Sequence, residues 1–79
     1  MRCVIAKVDQ VYFDGEAESV TLPGTMGEMT ILGEHMPLIT TLKSGTVTVR
    51  ASSIPGGQQF FDIEGGILEV RRDGATIIL

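Results

Sequence analysis

Val47 and Val49 fall on one side of the segment 46–51, while Thr46, Thr48 and Arg50 fall on the other. That two-residue alternation is the signature of a half-buried strand. Segment 58–64 repeats it, with Phe61 and Ile63 on one face and Phe60 and Asp62 opposite. Segment 67–79 predicts a hairpin around Asp73-Gly74, a two-residue turn of the kind that matches strand twist. Further turn signals stand at Asp14-Gly15, Pro23-Gly24, Lys43 to Gly45, Pro55 to Gly57 and Gly65-Gly66. The short segments between them are rich in Val, Ile, Thr and Phe. Turns every 8–12 residues or so are the pattern of an all-β sandwich or barrel, and no helical period is sustained over about eleven residues. The expectation is an all-β chain of about nine or ten short strands, residues 1–79 forming a single domain without repeats or linkers.

Size sets the first constraint on that domain. With 79 residues, it buries only about 60–65% of the surface its unfolded chain exposes. Small scaffolds usually compensate with a disulfide, a metal or a partner. Cys3 and His35 are the only residues of their kinds, which excludes an intrachain disulfide and a zinc site of four Cys/His ligands. Efficient packing or a partner must serve instead.

A hydrophobic fraction of 43% with 20% charged residues describes a folded chain. The net charge of −4, with no basic cluster beyond Arg71-Arg72, excludes nucleic acid as a partner. No apolar run approaches the roughly 18 residues of a spanning helix. The opening segment 1–10 lacks a cleavage site and is expected to be a first strand, not a signal peptide. A lone thiol without an export signal suggests a reducing cytoplasmic setting.

Catalysis would have to run through His35, with Glu34 or Glu28 to orient it or join it on a metal. Adjacent residues of an extended chain point apart, no nucleophile elbow or His-Glu-x-x-His spacing occurs, and a thin core leaves little room for converging groups. The alternative, His35 ending a turn and bonding backbone, is the better fit, and no cofactor or metal is expected. Gly24, Gly27 and Gly33 lack the lysine and helix of a phosphate loop. Met26, Met29 and Met36 suit either gap filling in a small core or an adaptable contact surface. Phe60 either covers a neighbouring strand or anchors a partner. Asp9, Asp14, Glu16 and Glu18 make a solvated acidic face.

Two stretches carry a resemblance. "GEAESVTLPGTMGEMTILGEHMPLITTLKSGTV", residues 15–47, and "FFDIEGGILEV", residues 60–70, resemble the epsilon subunit of F-type ATP synthases. The matching positions include Gly15, Leu22-Pro23-Gly24, Gly27-Glu28, His35, Pro37-Leu38, Gly45, Gly65-Gly66 and Leu68-Glu69-Val70, in collinear order over nearly the whole chain. The resemblance implies a ten-stranded β-sandwich of two five-stranded sheets. It implies a non-catalytic central-stalk subunit that clasps the gamma subunit and sits on the polar loops of the c-ring, tying ring rotation to ATP synthesis. It places the chain at the cytoplasmic face of the bacterial inner membrane, as a peripheral part of that complex.

The family's ring-facing loop maps onto Gly27, Glu28, Met29 and Thr30, with His35 nearby. Glu28 is expected to meet a basic residue of the c-ring there. Met36, Leu38 and Leu42 become candidates for the gamma contact or for the core between the sheets. Two departures stand out. The helical hairpin that follows the last strand in the family is absent from this sequence, and "AKVDQ" replaces the family's frequent "VTPE" after the first strand, which predicts a looser first turn. The alternative is a free-standing β-sandwich binding module that recruits another protein through the same Met-rich edge.

Overall fold

Two strands of this protein are too long to be straight. In the computed structural model, which describes residues 1–34 and 36–79, β5 spans Leu38–Arg50 and β6 spans Gln58–Arg71. A straight strand of 14 residues would reach roughly 45 Å, yet the longest dimension of the molecule is 28 Å. Both strands therefore bend, and the bend organises everything else.

The remaining strands are β1 (Arg2–Lys7), β2 (Gln10–Glu16), β3 (Ser19–Gly24), β4 (Gly27–Leu32) and β7 (Gly74–Ile78), with one 3-10 turn at Pro55–Gly57. They join β5 and β6 in one sheet of order β2-β1-β7-β6-β5-β3-β4. Only β1 and β7 pair in parallel; every other pair is antiparallel. β1, β2 and β7 attach to one end of the β5–β6 hairpin, and β3 and β4 mainly to the other. Folded at the bend, the sheet encloses one cluster containing Cys3 and Ile5 from β1, Ile77 from β7, Leu22 from β3, Ile31 from β4 and Val47 from β5.

The bend is written in the side-chain parity. Leu42 points inward in the first half of β5, whereas Val47 and Val49 do so in the second; β6 shifts from Ile63 to Leu68 and Val70. A one-residue slip in an alternating strand moves its apolar set to the opposite face. Both strands make that slip together, so their mutual register never breaks: Lys43 faces Gly65 and Gly45 faces Ile63. Against β3 the register does shift, between Thr21, opposite Thr48, and Gly24, opposite Leu42. Pro23 lies inside that interruption, where its missing N–H deprives no ladder of a donor.

The all-β expectation holds, and among the described residues the hydrogen bonding gives seven strands in one sheet where the resemblance implied ten in two five-stranded sheets. The signals at Lys43 to Gly45 and at Gly65-Gly66 mark the interior of bent strands, not chain reversals. The last hairpin also differs in detail. Arg71 pairs with Gly74, so the turn is Arg72-Asp73, and neither residue has positive φ, which excludes the expected mirror-image turn. Gly74 is required for another reason: a Cβ there would lie 2.6 Å from the carbonyl oxygen of Arg2 on β1. The first turn, Val8-Asp9, is followed by a register shift between Ile5 and Ala6.

Gly66 meets the same kind of constraint. A Cβ built on it would stand 2.5 Å from the carbonyl oxygen of Ile78, a backbone atom that cannot swing aside. Gly66→Val is expected to destabilise the domain by at least about 2 kcal/mol and to lower the melting temperature by roughly 10 °C, as scanning calorimetry would show. Burial pushes the Cys3 thiol up to about 11, against a small opposing pull from the N-terminal ammonium. From an ordinary value of 9.0, that shift cuts the thiolate fraction near neutral pH about a hundredfold. Alkylation by iodoacetamide at pH 8 should be slower by at least that factor in the folded chain than in denaturant.

Candidate functional site

The outward residues of the sheet half that contains β1, β2 and β7 form a row of paired positions, its last pair lying just past the β1–β2 register shift. Thr41 on β5 faces Ile67 on β6, Ile67 faces Ile78 on β7, Ile78 faces Ala6 on β1, and Ala6 faces Val11 on β2. Ile39 stands one step along on β5 and is 73% exposed. Ile67, Ile78 and Val11 are exposed as well. Five strands thus bring aliphatic side chains to one surface, where water covers them at a cost of about 25 cal/mol for each Å² of apolar area. Scattered exposed aliphatics are ordinary; a registered row of them is the mark of a contact surface.

Two ion pairs stand beside this row. Arg2 grips Asp14 with two hydrogen bonds, Nε to Oδ1 at 3.0 Å and Nη2 to Oδ2 at 2.9 Å. Arg71 donates to Glu69 at 2.9 Å and to the Thr76 hydroxyl at 3.2 Å. Exposed pairs of this kind contribute little to stability. Their consequence is that these four charges are compensated within the domain, while Lys43, two residues beyond Thr41 on β5, has no ion-pair partner among the described residues.

The outward residues of the other half are of a different chemistry. Thr48, Thr21 and Thr30 stand side by side on β5, β3 and β4, and the Thr21 and Thr30 hydroxyls lie 3.0 Å apart. Thr46 donates to Asp62 at 3.0 Å. Phe60 stands exposed opposite Thr48. It does not cover the core.

The structure relocates the residues that the resemblance put in a ring-facing loop. Gly27, Glu28, Met29 and Thr30 belong to β4, the edge strand of the sheet, because the reversal comes earlier, at Thr25-Met26, where Gly24 pairs with Gly27. Glu28 and Thr30 point to solvent, whereas Met29 packs against the core. Met26 projects from the hairpin tip, 97% exposed. The three methionines divide accordingly: Met29 fills the core, and Met26 and Met36 are exposed. His35 lies outside the described residues, and Glu34 before it has a φ of 61°.

The candidates for a gamma contact separate in the same way. Leu42 is a core residue, 5% exposed, because it sits at the bend where both sheet halves converge. Leu38 is half-buried and packs against that core. Met36 is exposed. Ile39, Ile67 and Ile78 were missed by sequence reasoning, although their opposite parity to Leu38, Leu68 and Ile77 was a usable signal.

There is more open space than the chain length suggested. A cleft of about 700 Å³ opens where β1, β6 and the chain end converge, lined by Ile5, Tyr12, Phe61, Ile63 and Leu79 with Lys7 and Glu64 among its polar groups. Among the described residues no three His, Cys, Asp or Glu side chains come together as metal ligands.

Comparison with known proteins was made at three levels. The family model described as "ATP synthase, Delta/Epsilon chain, beta-sandwich domain" matches residues 1–79. An ATP synthase epsilon chain from Xanthomonas campestris pv. campestris is 44% identical over 79 residues, covering 100% of this chain and 55% of that protein. One from Herminiimonas arsenicoxydans is 40% identical over 78 residues, covering 99% of this chain and 55% of the relative. The chain thus spans about half the length of these relatives.

In structure, it superposes with a TM-score of 0.84 on a chain of the Euglena gracilis mitochondrial ATP synthase (OSCP/F1/c-ring), at 23% identity over 96% of this chain and 48% of that one. It superposes with a TM-score of 0.76 on a chain of the Tetrahymena thermophila ATP synthase central stalk and c-ring, at 15% identity over 98% of this chain and 60% of that one. At such identities these likenesses concern the fold. The match of the family model along the whole length, joined by the sequence relatives, places this chain in the family of ATP synthase delta/epsilon-chain β-sandwich domains.

Proposed function

We propose that this domain is a non-catalytic clasp in the central stalk of an F-type ATP synthase, joining the gamma subunit to the polar loops of the c-ring. The observation that carries the proposal is the registered aliphatic row across five strands. A docking face of that kind is expected on a domain whose relatives are ATP synthase epsilon chains over its entire length. Gamma would cover Ile39, Ile67, Ile78 and Val11, displacing water from apolar surface while the neighbouring ion pairs remain as they are. Met36 and Leu38 lie at the same end of β5 and would extend that contact, whereas Leu42 would support it from the core.

The c-ring would meet the β4 edge, through Gly27, Glu28 and Thr30. An exposed carboxylate facing a basic loop steers and registers docking more than it adds affinity. Torque passes between the two surfaces through a folded sheet with no α-helix or long loop among the described residues, so the domain acts as a stiff coupling. The complex would hold it at the cytoplasmic face of a bacterial inner membrane as a peripheral component. The doubled sheet is best regarded as a two-layered sandwich. Dividing β5 and β6 at their bends gives five segments in one layer and four in the other, close to the family's two five-stranded sheets.

Two substitutions separate the surfaces. Ile67→Asp puts a charge in the middle of the aliphatic row without entering the core. It should leave the melting temperature within a few degrees of the parent and weaken binding to gamma by at least tenfold, about 1.4 kcal/mol; unchanged affinity in a titration would mean that gamma docks elsewhere. Glu28→Lys should change stability by no more than about 1 kcal/mol and keep gamma binding, while reducing coupled ATP synthesis in reconstituted vesicles. Loss of gamma binding in that variant would place β4 on the gamma side.

A further inference from the structure

β4 is an open strand edge, and we propose that an extended segment of the partner adds to it as a further strand. This rests on the stalk proposal only for the source of the segment, which is a polar loop of the c-ring. The backbone bonding of β4 follows from its hairpin. Gly24 and Gly27 close a two-residue turn as a hydrogen-bonded pair, so hydrogen-bonded and non-hydrogen-bonded pairs alternate from there along the ladder. Leu22 with Met29 and Val20 with Ile31 are bonded pairs; Pro23 with Glu28, Thr21 with Thr30 and Ser19 with Leu32 are not. Side chains come closest in the non-bonded pairs, and the Thr21 and Thr30 hydroxyls do meet at 3.0 Å. Pro23, which has no N–H, could not have completed a bonded pair.

Glu28, Thr30 and Leu32 therefore turn their N–H and C=O groups away from β3, toward the side where the sheet has no further strand. The same three residues carry exposed side chains. The two edges of the sheet differ in how they are defended. β2 has a register shift against β1 and the acidic side chains of Asp14 and Glu16, devices that discourage strand addition. β4 pairs with β3 without a shift and has one charged residue, Glu28. The edge thus accepts a segment able to form backbone hydrogen bonds, with a basic residue to meet Glu28 and an aliphatic residue to lie beside exposed Leu32. Main-chain bonds supply the attachment and Glu28 sets the register.

The proposal is tested by amide hydrogen exchange on the chain assembled with gamma and the c-ring, compared with the isolated chain. The amides of Glu28, Thr30 and Leu32 should slow by at least tenfold on assembly, whereas those of Met29 and Ile31, already bonded to β3, should change little. Unchanged exchange at the three outward amides in a chain that has joined the complex would overturn strand addition and leave the stalk proposal standing. A chain that fails to join the complex would overturn both. Slowing that tracks the concentration of the isolated chain would identify a second copy as the occupant and overturn the ring assignment. Thr30→Pro gives an independent measure, because it deletes an outward donor without removing a bond to β3, and Thr30→Val deletes only the hydroxyl. Attachment to the ring should fall at least tenfold with proline and hold with valine; equal behaviour of the two variants would overturn the proposal.

Discussion

The unbroken register of β5 against β6 is the constraint on which the rest of this small structure depends. Twelve paired positions run from Leu38 with Val70 to Arg50 with Gln58, and the two strands bend together instead of ending. One hairpin therefore contributes to both sides of the core. A chain of 79 residues without a disulfide could not easily support two separate sheets, each with its own edges and connections. Folding a single sheet over itself leaves two exposed edges, β2 and β4, and gathers the buried side chains into one cluster. The glycines that permit this are fixed by backbone proximity: Gly66 against Ile78, and Gly74 against Arg2.

The bend also determines what faces outward. In the second half of β6 the inward residues are Leu68 and Val70, so Ile67 is turned to solvent, in line with Ile78 and Ala6. Bending, burial and the docking row are thus one geometric fact. The aliphatic face and the β4 edge consequently differ in chemistry as well as position. The first offers apolar area flanked by two internal ion pairs; the second offers backbone hydrogen-bonding groups and a single carboxylate. The two contacts proposed for this domain could therefore use the two surfaces independently.

Much of this was legible in the sequence. The alternation at Val47 and Val49, and again at Phe61 and Ile63, gave the strands and their inward faces correctly, and the collinear motifs gave the family. What the sequence did not reveal depends on long-range contact. Gly65-Gly66 has the composition of a turn, and only the close passage of Ile78 shows why glycine stands inside a strand. Leu42 had equal claims to the core and to an interface until the bend put it between the halves. The resemblance put Gly27 to Thr30 in a ring-facing loop, whereas the reversal falls at Thr25-Met26 and these residues form β4. Ile39, Ile67 and Ile78 are far apart in sequence, and their alignment exists only once β5, β6 and β7 are paired.

The central claim is that the registered aliphatic row is the gripping surface, and titration calorimetry of the chain against its gamma subunit tests it most directly. The measurement would be made at several temperatures and at low and high salt. The account predicts one-to-one binding with a negative heat-capacity change, the mark of buried apolar surface, and an affinity that changes little with ionic strength because aliphatic side chains, not charges, carry the contact. Binding with no heat-capacity change and a steep loss of affinity in salt would contradict it, and would move the grip to a charged surface.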